Sequence, residues 1–219
     1  MKLSFDEMIR AIAGRTVGRG KARMIRGVSV DSRTLKAGDL FFAFKGVRHD
    51  GHDHISQALQ KGACGVVGAA GRLGGVAPGA AWAIEVADPL AALGSAARFW
   101  RDRCGIPVIG VTGSNGKTTC KEMIAAVLAV RFPVYKTEGN LNNQVGVPLT
   151  LLGLKTTARI AVVEMGMNHL GEIASLTRIA RPTASVITNV GRAHLEGFSS
   201  PDQIAQAKGE LLEGTEPGG

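Results

Sequence analysis

Three apolar runs constrain this chain more than any other feature, because none of them alternates with polar residues. "IPVIGV" (106–111), "RIAVVEM" (159–165) and "ASVITNV" (184–190) read as extended segments without a solvated face. Such strands are buried on both sides, and parallel pairing with helical crossovers is the arrangement that covers them. The connecting stretches agree. "GKTTCKEMIAAVLAV" (116–130) and "GEIASLTRIA" (171–180) have helical spacing, and "PVYK" (133–136) is a further short strand. The expected fold class is α/β, with a mainly parallel sheet in the second part of the chain.

The first part carries the same signals in shorter form. "VSVDSR" (28–33) and "DLFFAF" (39–44) read as strands joined through Gly38, and "HISQALQKGA" (54–63) as a helix ending at Gly62. "CGVVG" (64–68) and "WAIEV" (82–86) are strands on either side of a Gly/Ala-rich loop. A first domain over 1–86 and a second over 87–219 are expected. Asp88 and Pro89 open a helix as N-cap and first helical residue. Ser200, Pro201 and Gln203 open the last one, with Ser200 and Gln203 as a capping box. "TEPGG" then stops where a βα series supplies another strand, so the second domain is expected to be incomplete.

Charge and composition narrow the classes of function. The 219 residues are 45% hydrophobic and 20% charged, as in a soluble globular protein. No apolar run approaches the roughly 20 residues that span a bilayer. Asp6 and Glu7 interrupt the N-terminal stretch, which reads as a short amphipathic helix and not as a signal peptide. Cys64, Cys104 and Cys120 form no C-x-x-C pair, so reduced thiols and a cytoplasmic location are expected. A net charge of +8 favours polyanions. With one Tyr and two Trp for base stacking, anionic small molecules account for that charge, and no nucleic-acid partner is expected.

"VTGSNGKTTC" (111–120) sits between a strand and a helix. The common phosphate loop, G-x-x-x-x-G-K-[ST], would place a glycine at Val111; here the glycines are Gly110, Gly113 and Gly116. The context is still that of a phosphate cradle, since backbone N–H groups and the helix dipole face an anion there. Gly113, Ser114, Asn115, Gly116, Lys117, Thr118 and Thr119 are the nucleotide-binding candidates. Lys117 reaches terminal phosphates and the Thr118 hydroxyl ligates Mg²⁺ in such a loop.

Other candidates follow from position. On the last helix Lys208 lies at about 40° from Ile204, with Leu211 at about −20° and Leu212 at about 80°, so the lysine falls inside the apolar stripe. A free ammonium there is costly unless it is paired or chemically altered, although its stem can also snorkel to an edge. Glu164 ends a strand at the edge where parallel sheets collect ligands, a position that equally suits a solvated glutamate. Asn140, Asn142, Asn143 and Gln144 crowd one loop, where amides also cap turns. In "HDGHDH" (49–54) three histidines straddle a loop and a helix start, and shared metal ligation is not expected.

"GVTGSNGKTT" resembles the ATP-binding loop of the Mur ligase superfamily, in which a TG-x-NGK-[ST] core replaces the usual spacing. "EGNLNNQVGVPLTLL" (138–152), "AVVEMGMNHLGEI" (161–173), "TNVGRAHLEGF" (188–198) and "AKGELLEG" (207–214) are similar, in this order, to segments of one branch of that superfamily. "VSVDSRTLKAGDLFFAFKGVRHDGHDHI" (28–55) is similar to the branch's UDP-binding domain. The resemblance implies a small UDP-precursor-binding α/β domain followed by a truncated P-loop-type central domain, the family's C-terminal domain being absent. It implies an ATP-dependent, amide-bond-forming ligase of peptidoglycan precursor synthesis, joining D-alanyl-D-alanine to UDP-MurNAc-tripeptide through an acyl phosphate. ATP and Mg²⁺ are the implied cofactors, and a monomer is expected.

Residue by residue, the same resemblance implies catalytic roles for Lys117, Lys208, His194, Asn140 and Asn143. It implies Thr118, Glu164, His194 and Lys208, the last N6-carbamylated, as the surroundings of Mg²⁺. Ser32, Arg33, Lys45, Gly46, His49, Asp50, Gly51 and His52 are the implied contacts of the UDP-sugar; Arg33 is also suited on its own to pair with a diphosphate. The competing expectations are a sister ligase of the superfamily, a simple P-loop hydrolase or kinase, and a nucleotide-binding fragment without turnover.

Overall fold

The structure, a computed structural model, describes residues 1–46, 49–74, 76–77, 79–191, 198 and 200–216. The chain divides into two units, Met1–Phe99 and Trp100–Gly219. In the first, β1 (Leu3–Ser4) leads into α1 (Phe5–Ala11) through a capping box. The Ser4 hydroxyl oxygen accepts from the Glu7 N–H at 3.2 Å, and a Glu7 carboxylate oxygen accepts from the Ser4 N–H at 2.8 Å. There follow β2 (Arg15–Gly18), β3 (Met24–Ile25), β4 (Gly27–Ser29), β5 (Asp39–Phe42), α2 (Ile55–Gln60), β6 (Gly65–Ala69) and β7 (Trp82–Val86). Strands β4 to β7 lie side by side in parallel, and β2 adds antiparallel to β7. Leu40, Phe41, Phe42, Val66, Val67 and Ile84 are buried along this sheet, as their apolar runs require.

Helix α3 (Pro89–Cys104) starts where expected: Asp88 Oδ1 accepts from the N–H groups of Leu90 and Ala91 at 2.8 and 3.2 Å. The division between the units falls inside this helix, later than the boundary expected at residue 86. The residues of α3 from Trp100 onward belong to the second unit and bond within it. Trp100 Nε1 donates to the Leu154 carbonyl, for example.

The second unit contains β8 (Val108–Thr112), α4 (Lys117–Ala129), β9 (Val134–Lys136), α5 (Gly146–Leu152), β10 (Ile160–Glu164), α6 (Glu172–Ala180), β11 (Ala184–Ile187) and α7 (Pro201–Glu213). Its four strands are all parallel, in the order β11-β8-β10-β9. The path from β8 to β9 passes over β10, and the path from β10 to β11 passes over β8. The chain therefore leaves the two central strands in opposite directions, which opens a crevice beyond their C-terminal ends, where α/β sheets take ligands. Register places Glu164 of β10 beside Val111 of β8, so the carboxylate and the glycine loop meet at that crevice.

Helix α6 is clamped at both ends. Glu210 accepts from the Gly171 and Ala174 N–H groups at 2.7 and 2.8 Å, while Arg101 donates to the Ala180 and Arg181 carbonyls at 2.7 and 2.8 Å. A carboxylate at the N-terminus and a guanidinium at the C-terminus both match the helix dipole. The Glu210 bonds also fix α7, and with it Lys208. The outer flank of α4, with Met123 and Val127 exposed, lines an apolar groove of about 810 Å³ against Val186 and Ile187. Among the described residues no helix is long and apolar enough to cross a membrane.

Candidate functional site

The loop between β8 and α4 is shaped by two glycines. Gly113 has φ +152°, and a Cβ there would lie 1.9 Å from Thr188 Oγ1, so only glycine fits. Gly116, at φ +75°, turns the chain into α4 and provides no side-chain cap. The N–H groups of the first turn of α4 have no acceptor within the helix, and they open at the crevice with the positive end of the dipole. The loop is tied to the segment after β11. Ser114 N–H donates to the Asn189 carbonyl at 3.0 Å, Asn115 N–H to Asn189 Oδ1 at 3.1 Å, and Thr188 Oγ1 to the Asn115 carbonyl at 2.6 Å. Asn189 is a site residue that pattern reading passes over; its one sequence signal is a polar Thr-Asn pair ending an apolar strand.

Glu164 is 1% exposed, which removes the solvated strand-end alternative. Thr118 Oγ1 donates to Glu164 Oε2 at 3.0 Å, and Asn142 Nδ2 donates to Oε1 at 2.8 Å. Lys121 Nζ stands 3.6 Å from Oε2 and, like the glutamate, is only 1% exposed. Sequence reasoning passes over Lys121 as well. It lies one helical turn beyond Lys117 and Thr118, on the face they share, and that spacing is the signal that finds it. Of the crowded amides, Asn140 is exposed and Asn143 Oδ1 accepts from the Val145 and Gly146 N–H groups at 3.1 and 2.8 Å, ahead of α5. Asn142 is the amide that reaches the carboxylate.

Lys117 Nζ donates to the Gly113 carbonyl at 2.9 Å, folded over its own loop. Lys208 is 1% exposed, packed on the face of α7 that buries Ile204, Ala207 and Leu211, and none of the described residues bonds its amine. Burial, and secondarily the charge of Lys117, pull that amine down to about 8. Leu212, expected in the same stripe, is instead 55% exposed, because Glu210 turns inward to cap α6. His194 lies outside the described residues.

In the first unit the remaining candidates gather at the C-terminal ends of the adjacent strands β4 and β5. Arg33 forks onto Asp31, with Nη2 and Nε donating at 2.8 and 3.0 Å, and these bonds hold the Asp31 carboxyl down to about 2. Ser32 is buried and donates to Gln57 Oε1 at 2.6 Å. Lys45 pairs through its backbone with Asp50, and Gly46 N–H donates to the His49 carbonyl at 2.9 Å. A Cβ on Gly51 would come within 3.0 Å of the Phe44 nitrogen.

His52 Nδ1 meets Asp50 Oδ1 at 2.6 Å, and its Nε2 accepts from the Ala69 N–H at 3.0 Å. The proton therefore sits on Nδ1, and both ring nitrogens serve the fold. Arg33 and Lys45 remain exposed at this edge, as does His49, whereas Ser32 and His52 are spent on internal bonds. Among the described residues no three His, Cys, Asp or Glu side chains are grouped to hold a metal ion.

A parallel sheet whose crevice meets a glycine loop, an uncapped helix and a buried carboxylate bonded to the helix hydroxyl is the frame of a P-loop-type phosphate-binding protein. The chain belongs to the Mur ligase family: the family's catalytic domain matches residues 24–143, and the Mur ligase middle domain matches residues 111–219. It is 44% identical over 196 residues to the UDP-N-acetylmuramoyl-tripeptide–D-alanyl-D-alanine ligase of Bacillus subtilis, covering 90% of this chain and 42% of that protein. The Escherichia coli ligase of the same name is 43% identical over 187 residues, 85% of this chain and 40% of its own length.

Among solved structures, MurF from Acinetobacter baumannii superposes with a TM-score of 0.91 at 34% identity, over all of this chain and 48% of its own. MurF ligase from Thermotoga maritima in complex with ADP gives 0.79 at 36% identity, over 87% of this chain and 44% of its own. The chain thus spans less than half the length of these relatives.

Proposed function

We propose that this chain is the precursor-binding and ATP-binding part of a UDP-N-acetylmuramoyl-tripeptide–D-alanyl-D-alanine ligase of peptidoglycan synthesis, acting in the cytoplasm. The observation that carries the reading is the Thr118–Glu164 bond of 3.0 Å beneath the uncapped start of α4, in a chain so similar to those ligases. A hydroxyl and a carboxylate oxygen are the hard donors that Mg²⁺ takes, so the residues fit that ion. When bound, Mg²⁺ would neutralise phosphate oxygens and steady the departing charge.

The chain's own residues supply the rest. A carboxylate is a poor electrophile, and its approach to a polyphosphate sets anion against anion. Lys117, released from the Gly113 carbonyl, and the first N–H groups of α4 offset that repulsion and hold the terminal phosphates. The bonds from Thr188 and Asn189 shape the loop beforehand, which reduces the reorganisation needed at the moment of transfer. The tripeptide carboxylate attacks the γ-phosphorus and the bond to ADP breaks, leaving an acyl phosphate. The amine of D-alanyl-D-alanine then attacks the carbonyl, loses a proton, and phosphate departs. Burial favours the neutral amine of Lys208, the form that adds to CO₂; the resulting N6-carbamate would turn a buried cation into an anion suited to a second Mg²⁺. At the edge of the first sheet, Arg33 and Lys45 are the exposed cations for the UDP diphosphate.

The second reading is binding without turnover. Calorimetry with ADP·Mg²⁺ and with the UDP-linked precursor tests the site. Lys117→Ala should weaken ADP binding roughly a hundredfold, as expected for a lost phosphate contact, and leave precursor affinity unchanged. Equal loss of both overturns the assignment. Phosphate release with all three substrates separates the ligase reading from the binding-only one.

A further inference from the structure

Lys121 belongs to none of the roles above, yet it is a fully buried cation, and the buried carboxylate that pairs with it is that of the proposed metal site. Its Nζ lies 3.6 Å from Glu164 Oε2, the oxygen that Thr118 also touches, and 3.4 Å from the Gly139 carbonyl. Glu122 approaches it at 3.4 Å from the rim, but that carboxylate is half exposed and is shared with Lys136. Glu164 itself has no water-facing surface to compensate it, and its other oxygen is taken by Asn142. A buried carboxylate in a chain without Lys121 would be an uncompensated charge, which a divalent cation from solution relieves. With Lys121 in place the carboxylate already has its counter-charge, and a bare divalent ion entering beside Thr118 meets an ammonium within a few ångströms. At such distances in a protein interior, repulsion from the lysine cancels roughly half of the attraction that a single carboxylate offers, and the remainder is too small to strip water from an ion that dehydrates reluctantly.

We propose that Lys121 is a positioning residue that makes the metal site conditional on the nucleotide. It holds Glu164 aimed at Thr118 and excludes free divalent cations, so that Mg²⁺ enters with the phosphates, whose negative charge outweighs the lysine. The inference rests on the reading of the β8–α4 loop as a nucleotide site, whatever the state of Lys208.

Mn²⁺ binding, followed by electron paramagnetic resonance on the 219-residue chain, tests it in two arms, without and with ADP. Wild type should leave bare Mn²⁺ free and take it up with ADP. Lys121→Gln and Lys121→Met should bind bare Mn²⁺ at least about tenfold more tightly than wild type, and Lys121→Arg, which keeps the charge, should behave as wild type. Thermal melts verify that at least one neutral variant is folded, and Gln is included because it can still donate to Glu164. Bare-ion binding that does not rise in a folded neutral variant, or that rises as much in Lys121→Arg, overturns the proposal. A rise in the neutral variants without any ADP uptake by wild type would instead support Lys121 as the gate and refute the nucleotide reading, so the two failures are distinct.

Discussion

Replacing Lys208 with Met removes a charge that folding forces into the protein. The side chain is 1% exposed, and its amine is drawn from 10.5 to about 8, first by burial and then by Lys117. The unfolded chain keeps the ordinary value. Between about pH 8 and pH 10.5 the unfolded state therefore binds more protons than the folded one, and stability rises with pH across that window. Below it the full penalty stands. The shift corresponds to a cost of about 3 kcal/mol at pH 7, about 2 kcal/mol at pH 9 and less than about 0.5 kcal/mol at pH 10.5. Methionine keeps the length of the stem without the charge, so Lys208→Met should be more stable than wild type by these amounts, less about 1 kcal/mol for imperfect packing.

The assay is urea unfolding of both proteins in CO₂-depleted buffer, so that no carbamate forms. The chain has two tryptophans; with Trp82 replaced by Phe in both proteins, Trp100 reports the second unit alone. Taking the difference at each pH cancels every titrating group the two proteins share. A gap that stays constant from pH 7 to about pH 10.5, or a variant less stable at pH 7, would refute the claim that Lys208 is an uncompensated buried amine.

Three further outcomes are expected. Gly113→Ala imposes a Cβ 1.9 Å from Thr188 Oγ1 at a φ of +152°, and it should cost about 2–4 kcal/mol and abolish ADP binding; a melt unchanged from wild type would count against the tied loop. Asn143→Ala should cost about 1 kcal/mol through the lost side-chain bonds to the Val145 and Gly146 N–H groups, with nucleotide affinity preserved. Asn142→Ala, by leaving Glu164 Oε1 without a donor, should cost about 1–3 kcal/mol and weaken ADP·Mg²⁺ binding as well. Identical behaviour of the two asparagine variants would contradict their separate placement.

Uninterrupted apolar runs announced the parallel sheet, Asp88 announced the start of α3, and helical spacing alone placed Lys208 in the buried stripe. Each is a local signal, carried by residues within a turn or a strand of one another. Strand β2 shows the opposite case. Its four residues mean nothing until they pair with β7, some 70 positions along the chain, as in the Arg15–Glu85 register. Nor could spacing choose between Asn142 and Asn143, since neighbours in a loop differ only in which way the backbone turns them. His52, an implied contact of the UDP-sugar, also straps its loop to β6, because the Ala69 N–H takes its second nitrogen, a link that no local spacing shows.

By itself the sequence determined which segments must be hidden from water and where the glycine turn between β8 and α4 would form, since both follow from covalent neighbours and side-chain polarity. Only the tertiary structure decided that the buried Glu164 and Lys121 meet Thr118 and Asn142 at one corner. That decision comes from the crossing of two connections over a four-stranded sheet, a long-range outcome of packing that no window along the chain contains.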